Sequence, residues 1–404
     1  MLETALQILN FKRALLALAA SLSLVSIQAH AQVQVGVINS TSGIFSAFGS
    51  RYNTGMQVAL EEINKAGGIN GQPLELVVQD DRSEAQSALA AVESMNNKGV
   101  PLVLGSYASS ITGPMARLMT RQKIPLIVLG SADDSITKPG SPWVFRAKHN
   151  STIVANTYFD YFDHLRGETP GGLKKIAVLH GNGAWPTSLA NEGVRQSELR
   201  GYEVVGRQAY DQGTTDFRPI LNRFRSANPD ILFIGSYADD GVAITRQLKE
   251  VGLDAKAIAI DTSSSLPSFI EQVGPLASYV VSVVSWSKDV KLAGVDDLYA
   301  RLKEKAKGEP SFYEAEGYLA LMVAADALKR SDPKDRESVR KALAETDLDT
   351  PVTHVVFKNE NGFQNQNPIK SLVLQIQNGE HVTVFPLDLA ANKAQHPTPP
   401  WSER

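Results

Sequence analysis

The sequence predicts an α/β protein made of two doubly wound parallel-sheet lobes in tandem. Short apolar runs rich in β-branched residues alternate with amphipathic stretches of helical period along nearly the whole chain. This alternation is typical of parallel sheets that carry helices on both faces. The 404 residues exceed what one hydrophobic core usually serves, so we expect two domains. The composition, with 43% hydrophobic and 21% charged residues, is that of an ordinary globular protein.

The first series of elements extends to about residue 146. The amphipathic period of residues 52–65 predicts a helix, and the glycines of residues 67–71 end it. Predicted strands span residues 33–39, 74–79, 100–105 and 125–129, and predicted helices span residues 52–65, 83–97 and 111–121.

The second series begins after residues 143–146 and repeats the alternation. Its strands span residues 176–180, 204–210, 231–234, 257–260 and 279–286, and its helices span residues 152–165, 188–199, 217–226 and 241–251. Three further helices, at residues 295–307, 313–329 and 334–344, precede strands at residues 354–357, 372–377 and 382–385. No helix follows these last strands, so we expect them to return to the edges of the lobes.

Residues 1–31 have the pattern of a cleavable secretory signal. Lys12 and Arg13 precede the apolar run 14–27, and Ala29-His30-Ala31 supplies small residues at the positions that a signal peptidase reads. The alternative is a core helix that opens the first domain. The segment before Phe11 is longer than the region that usually precedes the apolar run of such a signal, so we expect translation to start nearer Phe11. Without cysteine the chain can form neither a lipoprotein anchor nor a disulfide, so we expect a soluble protein of the periplasm. We also expect it to be a monomer.

The sequence contains no signal for nucleic-acid binding, for cofactor or metal binding, or for catalysis. Acidic and basic residues are interspersed with a net charge of -3, which leaves no broad cationic face for nucleic acid. No GxGxxG follows a strand, and no GxxxxGKS or GxxxxGKT phosphate loop, HExxH motif or cysteine-based zinc spacing is present. We therefore expect no nucleic-acid partner, no cofactor, no metal and no enzymatic activity.

The loop after the predicted strand 100–105 has the composition of a small-anion pocket. Residues 105–110 read Gly-Ser-Tyr-Ala-Ser-Ser and continue directly into a helix, whose first N–H groups have no intrahelical acceptor. Hydroxyls of Ser109 and Ser110 can donate to a carboxylate there. The competing interpretation is that one of these serines is only an N-cap.

A second small-residue loop follows the next predicted strand. Gly130, Ser131 and Ala132 allow backbone groups to approach a ligand closely. Asp133 and Asp134 are expected to cap the following turn.

Aromatic residues beside polar loops are the other candidate binding signal. Each could equally pack in a core, but five at the ends of strands together favour a ligand-packing surface. These residues are Phe48, Tyr107, Trp185, Tyr237 and Tyr313.

With these features the chain resembles the leucine/isoleucine/valine-binding protein family, the type I periplasmic solute-binding proteins of ABC importers. The resemblance covers residues 33–389 and is most specific in residues 55–76, which contain ALEEINKAGGINGQPLEL. The serine loop, helix and second loop of residues 103–132 follow at matching separations.

The resemblance implies two α/β lobes joined by three hinge crossovers, here near Lys148, Val284 and Asn359. A ligand would close the lobes, and the closed form would dock on a membrane permease. The expected N-terminal lobe contains residues 32–148 and 285–359, the C-terminal lobe residues 149–284 and 360–390, and the tail residues 391–404.

The resemblance also implies roles for single positions of the two loops. Ser109 would bind the ligand carboxylate with its hydroxyl and backbone. Gly130 and Ala132 fall where members hold the α-carboxylate and α-ammonium with a backbone carbonyl and a threonine, so the threonine is missing here. The acidic ligand of the ammonium aligns to Thr262, with Asp261 one residue away.

Among the aromatic residues, Phe48 matches one that flanks the side-chain pocket of the family. Trp185, Tyr237 and Tyr313 match aromatics that close over the ligand from the second lobe and the late helices.

The replacements at Ala132 and Thr262 leave open whether the ligand carries an ammonium group. An unpaired ammonium in a dry cleft costs several kcal/mol. Either Asp261 or one of Asp239 and Asp240 replaces the missing acid, or the ligand has no ammonium. We therefore expect a periplasmic protein that captures a branched-chain or other hydrophobic amino acid for an ABC importer. The alternatives are a binding protein for another carboxylate, such as an aromatic acid, and a ligand-sensing receptor on the same fold.

Overall fold

The computed structural model describes residues 32–306 and 308–404. The predicted export signal, residues 1–31, lies outside the described residues. Across those described ranges, no helix has both the length and the apolar character needed to cross a membrane.

The first lobe is built on a five-stranded, all-parallel sheet of order β2-β1-β3-β4-β5. Helices α1 to α3 connect its first four strands. The bounds are β1 Val33–Asn39, α1 Ser46–Lys65, β2 Leu74–Asp80, α2 Ala85–Asn97, β3 Val103–Gly105, α3 Ser109–Gln122, β4 Leu126–Val128 and β5 Val144–Phe145.

The second lobe is built on a seven-stranded sheet of order β16-β15-β10-β9-β8-β6-β7. The five strands from β10 to β7 are parallel, and β15 and β16 add an antiparallel edge. The bounds are α4 Ser151–Glu168, β6 Lys175–Gly181, α5 Ala184–Arg200, β7 Glu203–Tyr210, α6 Arg218–Ala227, β8 Ile231–Ser236, α7 Ala238–Val251, β9 Ala257–Thr262, α8 Pro267–Val273, β10 Val281–Val284, β15 Leu372–Gln377 and β16 Glu380–Phe385.

The late helices return to the first lobe and share its hydrophobic core. They are α9 Val295–Ala306, α10 Phe312–Lys329 and α11 Arg336–Ala344. Two short hairpins follow, formed by β11 Asp347–Asp349 with β12 His354–Val356 and by β13 Lys358–Glu360 with β14 Phe363–Gln366. Separate apolar cores cover the two faces of the second sheet. The predicted fold class, two doubly wound lobes, is confirmed.

The chain passes between the two sheets three times, at residues 146–150, 285–294 and 367–371. The first and third passages lie side by side, since Arg146 N donates to Asn365 O at 3.0 Å and Asn367 Nδ2 donates to Ala147 O at 2.9 Å. The resemblance placed the third hinge near Asn359. The third passage lies beyond that residue, because β14 still packs beside β5 of the first lobe.

The last residues, predicted as a tail, are packed on the second lobe. Trp401 is buried against its core, and its Nε1 donates to Leu253 O at 2.8 Å. Burial of a large aromatic side chain stabilises this attachment.

Candidate functional site

A small cavity lies between the lobes, beside the loops that follow the parallel strands. Its volume is about 30 Å³, room for roughly two water molecules. The lobes are therefore in contact around it. It is lined by Tyr107, Ser109, Gly130, Ala132, Lys148, His149, Val154, Trp185, Tyr237, Asp261, Thr262, Val283, Phe312 and Tyr313.

Ser109 opens α3 at the cavity wall. The N-cap of α3 is Ala108, whose methyl group cannot accept the free N–H groups of the first turn. Ser109 is therefore a helical residue and not the N-cap. Its Oγ accepts a hydrogen bond from Asp133 N at 3.2 Å, so the hydroxyl proton remains available to a ligand. The N-terminus of α3 thus presents donors to the cavity.

Five tyrosine, tryptophan and phenylalanine rings from the two lobes line part of the cavity wall. Tyr107 of the first lobe lies 6.5 Å from Tyr237 of the second, measured between ring centroids. Trp185 packs on Tyr237 at 5.2 Å, and Phe312 packs on Tyr313 at 4.0 Å. The four predicted aromatics Tyr107, Trp185, Tyr237 and Tyr313 are brought together here.

Two of these aromatics lie in the first turns of helices and not in loops. Trp185 is the second residue of α5, and Tyr313 is the second residue of α10. A capping box sets the start of α10, since Ser311 N donates to Glu314 Oε2 at 2.9 Å and Tyr313 N donates to Ser311 Oγ at 3.3 Å. The Ser-x-x-Glu spacing in the sequence could have predicted the start of α10.

Three predicted site residues do not line the cavity. Phe48 stacks behind Tyr107, with ring centroids 4.3 Å apart. Ser131 is buried and its Oγ donates to Tyr107 O at 3.0 Å, so both residues support Tyr107. Ser110 is exposed and faces the outer part of the cleft. Consecutive helical residues point about 100° apart, which explains why Ser109 faces the cavity and Ser110 does not.

Of the three predicted candidates for an ammonium counter-charge, only Asp261 lines the cavity. Its Oδ2 accepts Tyr158 Oη at 2.9 Å, and its Oδ1 accepts Thr262 Oγ1 at 3.2 Å. Burial raises the pKa of the Asp261 carboxyl to about 6, although both hydrogen bonds oppose that rise. Asp240 instead accepts Tyr210 Oη at 3.0 Å in the outer cleft, where Asp239 is exposed.

Thr262 has an unusual backbone conformation for a β-branched residue. Its φ of 66° and ψ of -60° lie in a region that costs such residues free energy. Strain of this kind clusters at functional sites, and it positions the Thr262 side chain at the cavity wall.

We expect Asp261→Asn to stabilise the ligand-free protein at pH 7.5 by about 1–3 kcal/mol. The pKa of Asp261 is raised in the folded state to about 6, so the folded protein binds more protons than the unfolded chain between about pH 4 and 6. Its stability therefore falls as pH rises through that window and is level above it. Urea unfolding at pH 4.5, 6 and 7.5 measures the effect.

The asparagine variant should lose this component of the pH dependence. The exposed Asp347→Asn variant is the control, and its stability should stay within about 0.5 kcal/mol of the parent. A variant that is less stable than the parent at pH 7.5 would contradict the role of burial at Asp261.

The sequence analysis did not assign Lys148 to the ligand site. Lys148 Nζ donates to Gly130 O and to Glu316 Oε2, both at 3.0 Å. Glu316 also accepts Ser285 Oγ at 2.7 Å and the hydroxyl of Tyr52. An acidic residue inside the apolar helix α10 was the readable signal for such a buried ion pair.

His149, Val154, Val283 and Phe312 are further lining residues that the sequence analysis missed. His149 is buried against Ser371, with Nδ1 3.2 Å from Ser371 Oγ. Burial lowers the pKa of His149 well below its usual range, so the ring is neutral. Lys148 and Asp261 are therefore the charged side chains of the cavity wall within the described residues.

A family model for the periplasmic binding proteins matches residues 32–380. The chain belongs to this family. Several of its relatives are named as leucine/isoleucine/valine-binding proteins, in agreement with the predicted resemblance. The chain is 25% identical over 353 residues to the leucine-, isoleucine-, valine-, threonine- and alanine-binding protein of Pseudomonas aeruginosa, covering 82% of this chain and 87% of that protein.

Solved periplasmic binding proteins share the fold. A leucine-binding protein from Thermotoga maritima matches with a TM-score of 0.78 and 24% identity, over 87% of this chain and 97% of that chain. An ABC-transporter solute-binding protein from R. palustris in complex with benzoate matches with a TM-score of 0.76 and 18% identity, over 90% of this chain and 98% of that chain. These likenesses show the type I periplasmic binding protein fold.

Proposed function

We propose that this periplasmic binding protein captures a small carboxylate-bearing solute between its lobes and delivers it to an ABC importer. The observation that carries the proposal is the α3 N-terminus, which has no side-chain cap and opens on the interlobe cavity with Ser109. Free N–H groups and a hydroxyl donor are suited to a carboxylate.

Family membership supports the transport role. The Pseudomonas relative is named for five small or aliphatic amino acids, each of which carries a carboxylate. The aromatic and aliphatic wall of the cavity suits a hydrophobic ligand body. The name of this relative therefore supports a branched-chain or other hydrophobic amino acid as the ligand of this chain.

Closure of the lobes is the proposed working motion. The aromatic contacts across the cleft exist only when the lobes are together, so a ligand that touches both walls stabilises the closed state. The proposed hinges are the crossovers at residues 146–150, 285–294 and 367–371. In this proposal the export signal is cleaved after Ala31. The closed monomer then docks on the permease in the periplasm.

A thermal-shift and small-angle scattering screen of the mature chain tests this function. The ligands are hydrophobic amino acids, other amino acids and aromatic acids. We expect at least one carboxylate to raise the melting temperature and to make the protein more compact. Identical scattering profiles and melting temperatures with every carboxylate would reject the proposal.

Ser109→Ala should weaken binding of the ligand found in that screen by about 1–3 kcal/mol. The loss follows from removal of a hydrogen bond to a charged group. Calorimetric titration measures it, and the neighbouring Ser110→Ala variant is the matched control because Ser110 lies off the cavity wall. Full affinity in the Ser109 variant would dismiss the role of this hydroxyl.

A further inference from the structure

We infer that the cavity selects small carboxylates that carry no ammonium group, because a lysine of the protein supplies the cation at the cavity wall. The inference rests on the proposed function and narrows its ligand class. Three features carry it: the hydrogen-bond acceptors of the loop after β4, the buried Lys148, and Asp261 on the cavity wall.

The loop after β4 has little accepting capacity left for a ligand ammonium. Ala132 O accepts both Ser151 N at 2.7 Å and Ser151 Oγ at 2.9 Å, which uses both lone pairs of the carbonyl. Gly130 O accepts Lys148 Nζ at 3.0 Å and keeps one lone pair beside a cation. The methyl group of Ala132 adds no acceptor. An ammonium beside this loop would find one free lone pair, on Gly130 O, next to the ammonium group of Lys148.

Lys148 is buried and still has donating capacity. An ammonium group has three N–H donors, and Gly130 O and Glu316 Oε2 use two of them. Lys148 lines the cavity, so the third donor can serve a ligand carboxylate there. Like charges repel strongly where water is excluded, whereas a charge-assisted hydrogen bond to a carboxylate is favourable. Glu316 offsets part of the Lys148 charge, but the third N–H of Lys148 can donate only to an acceptor, so Lys148 favours a ligand carboxylate over an ammonium.

Asp261 is already provided with donors from the protein. Each of its two oxygens accepts one donor from the protein, Tyr158 Oη and Thr262 Oγ1, so the carboxylate is hydrogen-bonded without a ligand ammonium. Four titratable or charged groups surround Asp261. They are Tyr158 of α4, Lys148 of the first crossover, Tyr107 of the loop after β3 and Tyr313 of α10.

The protonation of Asp261 gives the inference a pH signature. Burial raises the pKa of Asp261 to about 6, and a ligand carboxylate adds negative charge that raises it further. Such a ligand binds together with a proton, so its affinity falls as pH rises above about 6. An amino acid would show the opposite trend, because its ammonium favours the ionised carboxylate.

Matched ligand pairs that differ only in the ammonium group test the inference on the unaltered mature protein. The pairs are alanine with propanoate, leucine with 4-methylpentanoate, and phenylalanine with 3-phenylpropanoate. Calorimetry at pH 5.5 and 8.0 should show that the member without an ammonium binds at least tenfold more tightly, and more tightly at pH 5.5.

Each other outcome has a distinct meaning. If the amino acid of a pair binds as tightly as its partner or more tightly, the inference is wrong and the proposed function stands. If no carboxylate in these pairs or in the wider screen binds or closes the lobes, the proposed function is wrong and the inference falls with it.

The Lys148→Met variant tests the residue itself. It should lose at least tenfold in affinity for the carboxylate member of a pair, and its preference should shift toward the amino acid. The control is Lys370→Met, which removes an exposed lysine paired with Asp388 at 2.7 Å and should leave both affinities unchanged. Unchanged selectivity in the Lys148 variant would overturn the inference. The ligand pairs decide the question on the parent protein even if this variant does not fold.

Discussion

Gly55→Ala should lower the free energy of unfolding by about 3 kcal/mol or more. Gly55 is the point where α1 meets α10, and a Cβ there would lie 1.8 Å from Glu314 O and 2.9 Å from Tyr318 N. Both neighbours are backbone atoms, so no side-chain rotation relieves the overlap and the helices must separate. Gly317 has the reciprocal role, since its Cβ would lie 2.2 Å from Tyr52 O.

This helix crossing also matters for the site. Helix α10 carries Tyr313 and Glu316, so its displacement moves one cavity-lining ring and the partner of Lys148. Urea unfolding measures the stability change. Gly167→Ala is the matched control, because a Cβ at this helical position meets nothing within 4 Å; the change should be neutral or stabilising by up to about 1 kcal/mol. A Gly55 variant as stable as this control would refute the close crossing.

Arg146→Met should also destabilise the fold, by about 3 kcal/mol or more. The Arg146 side chain is fully buried. Its Nε donates to Gln366 Oε1 at 2.7 Å, its Nη1 donates to Asp133 O at 2.8 Å and to Ser131 O at 3.3 Å, and its Nη2 donates to the hydroxyl of Thr137. Methionine fills similar space but leaves these acceptors without their donor, at a cost of about 1–3 kcal/mol for each one that stays dry.

The same variant should weaken ligand binding, because Arg146 holds the loop after β4 against β14. Burial lowers the pKa of Arg146 to about 10, so the side chain stays charged at neutral pH and the effect should not depend on pH between 6 and 8. Arg218→Met is the control, since Arg218 is about half exposed and pairs with Asp216 on the surface; its effect should be within about 1 kcal/mol. Equal unfolding midpoints for the two variants would contradict the structural role of Arg146.

Much of the fold was predictable because its signals are local. The alternating apolar runs placed β1, β2, β6 and β8 close to their observed bounds, since buried parallel strands read as short β-branched runs. Helix starts were less predictable: α1, α5 and α7 begin before their predicted starts. None of these three has a side-chain cap that would mark the boundary.

The candidate site was partly predictable for the same reason. A small-residue loop at the end of a strand is a local pattern, and it pointed to Ser109, Gly130 and Ala132, which line the cavity. The neighbouring Ser110 and Ser131 share that composition but face elsewhere. Which side of a turn each residue occupies depends on the start of α3 and on the packing of Tyr107, and neither follows from composition.

The sequence by itself determined the α/β class, the two series of elements and the loops that meet at the cleft, because periodicity and turn chemistry act over a few residues. Only the tertiary structure decided the electrostatics of the cavity. Arg146 and Gln366 are 220 positions apart along the chain, and Lys148 meets Glu316 only where the first crossover reaches α10. The charge state and hydrogen bonding of a buried group depend on which distant residues exclude water from it and pair with it.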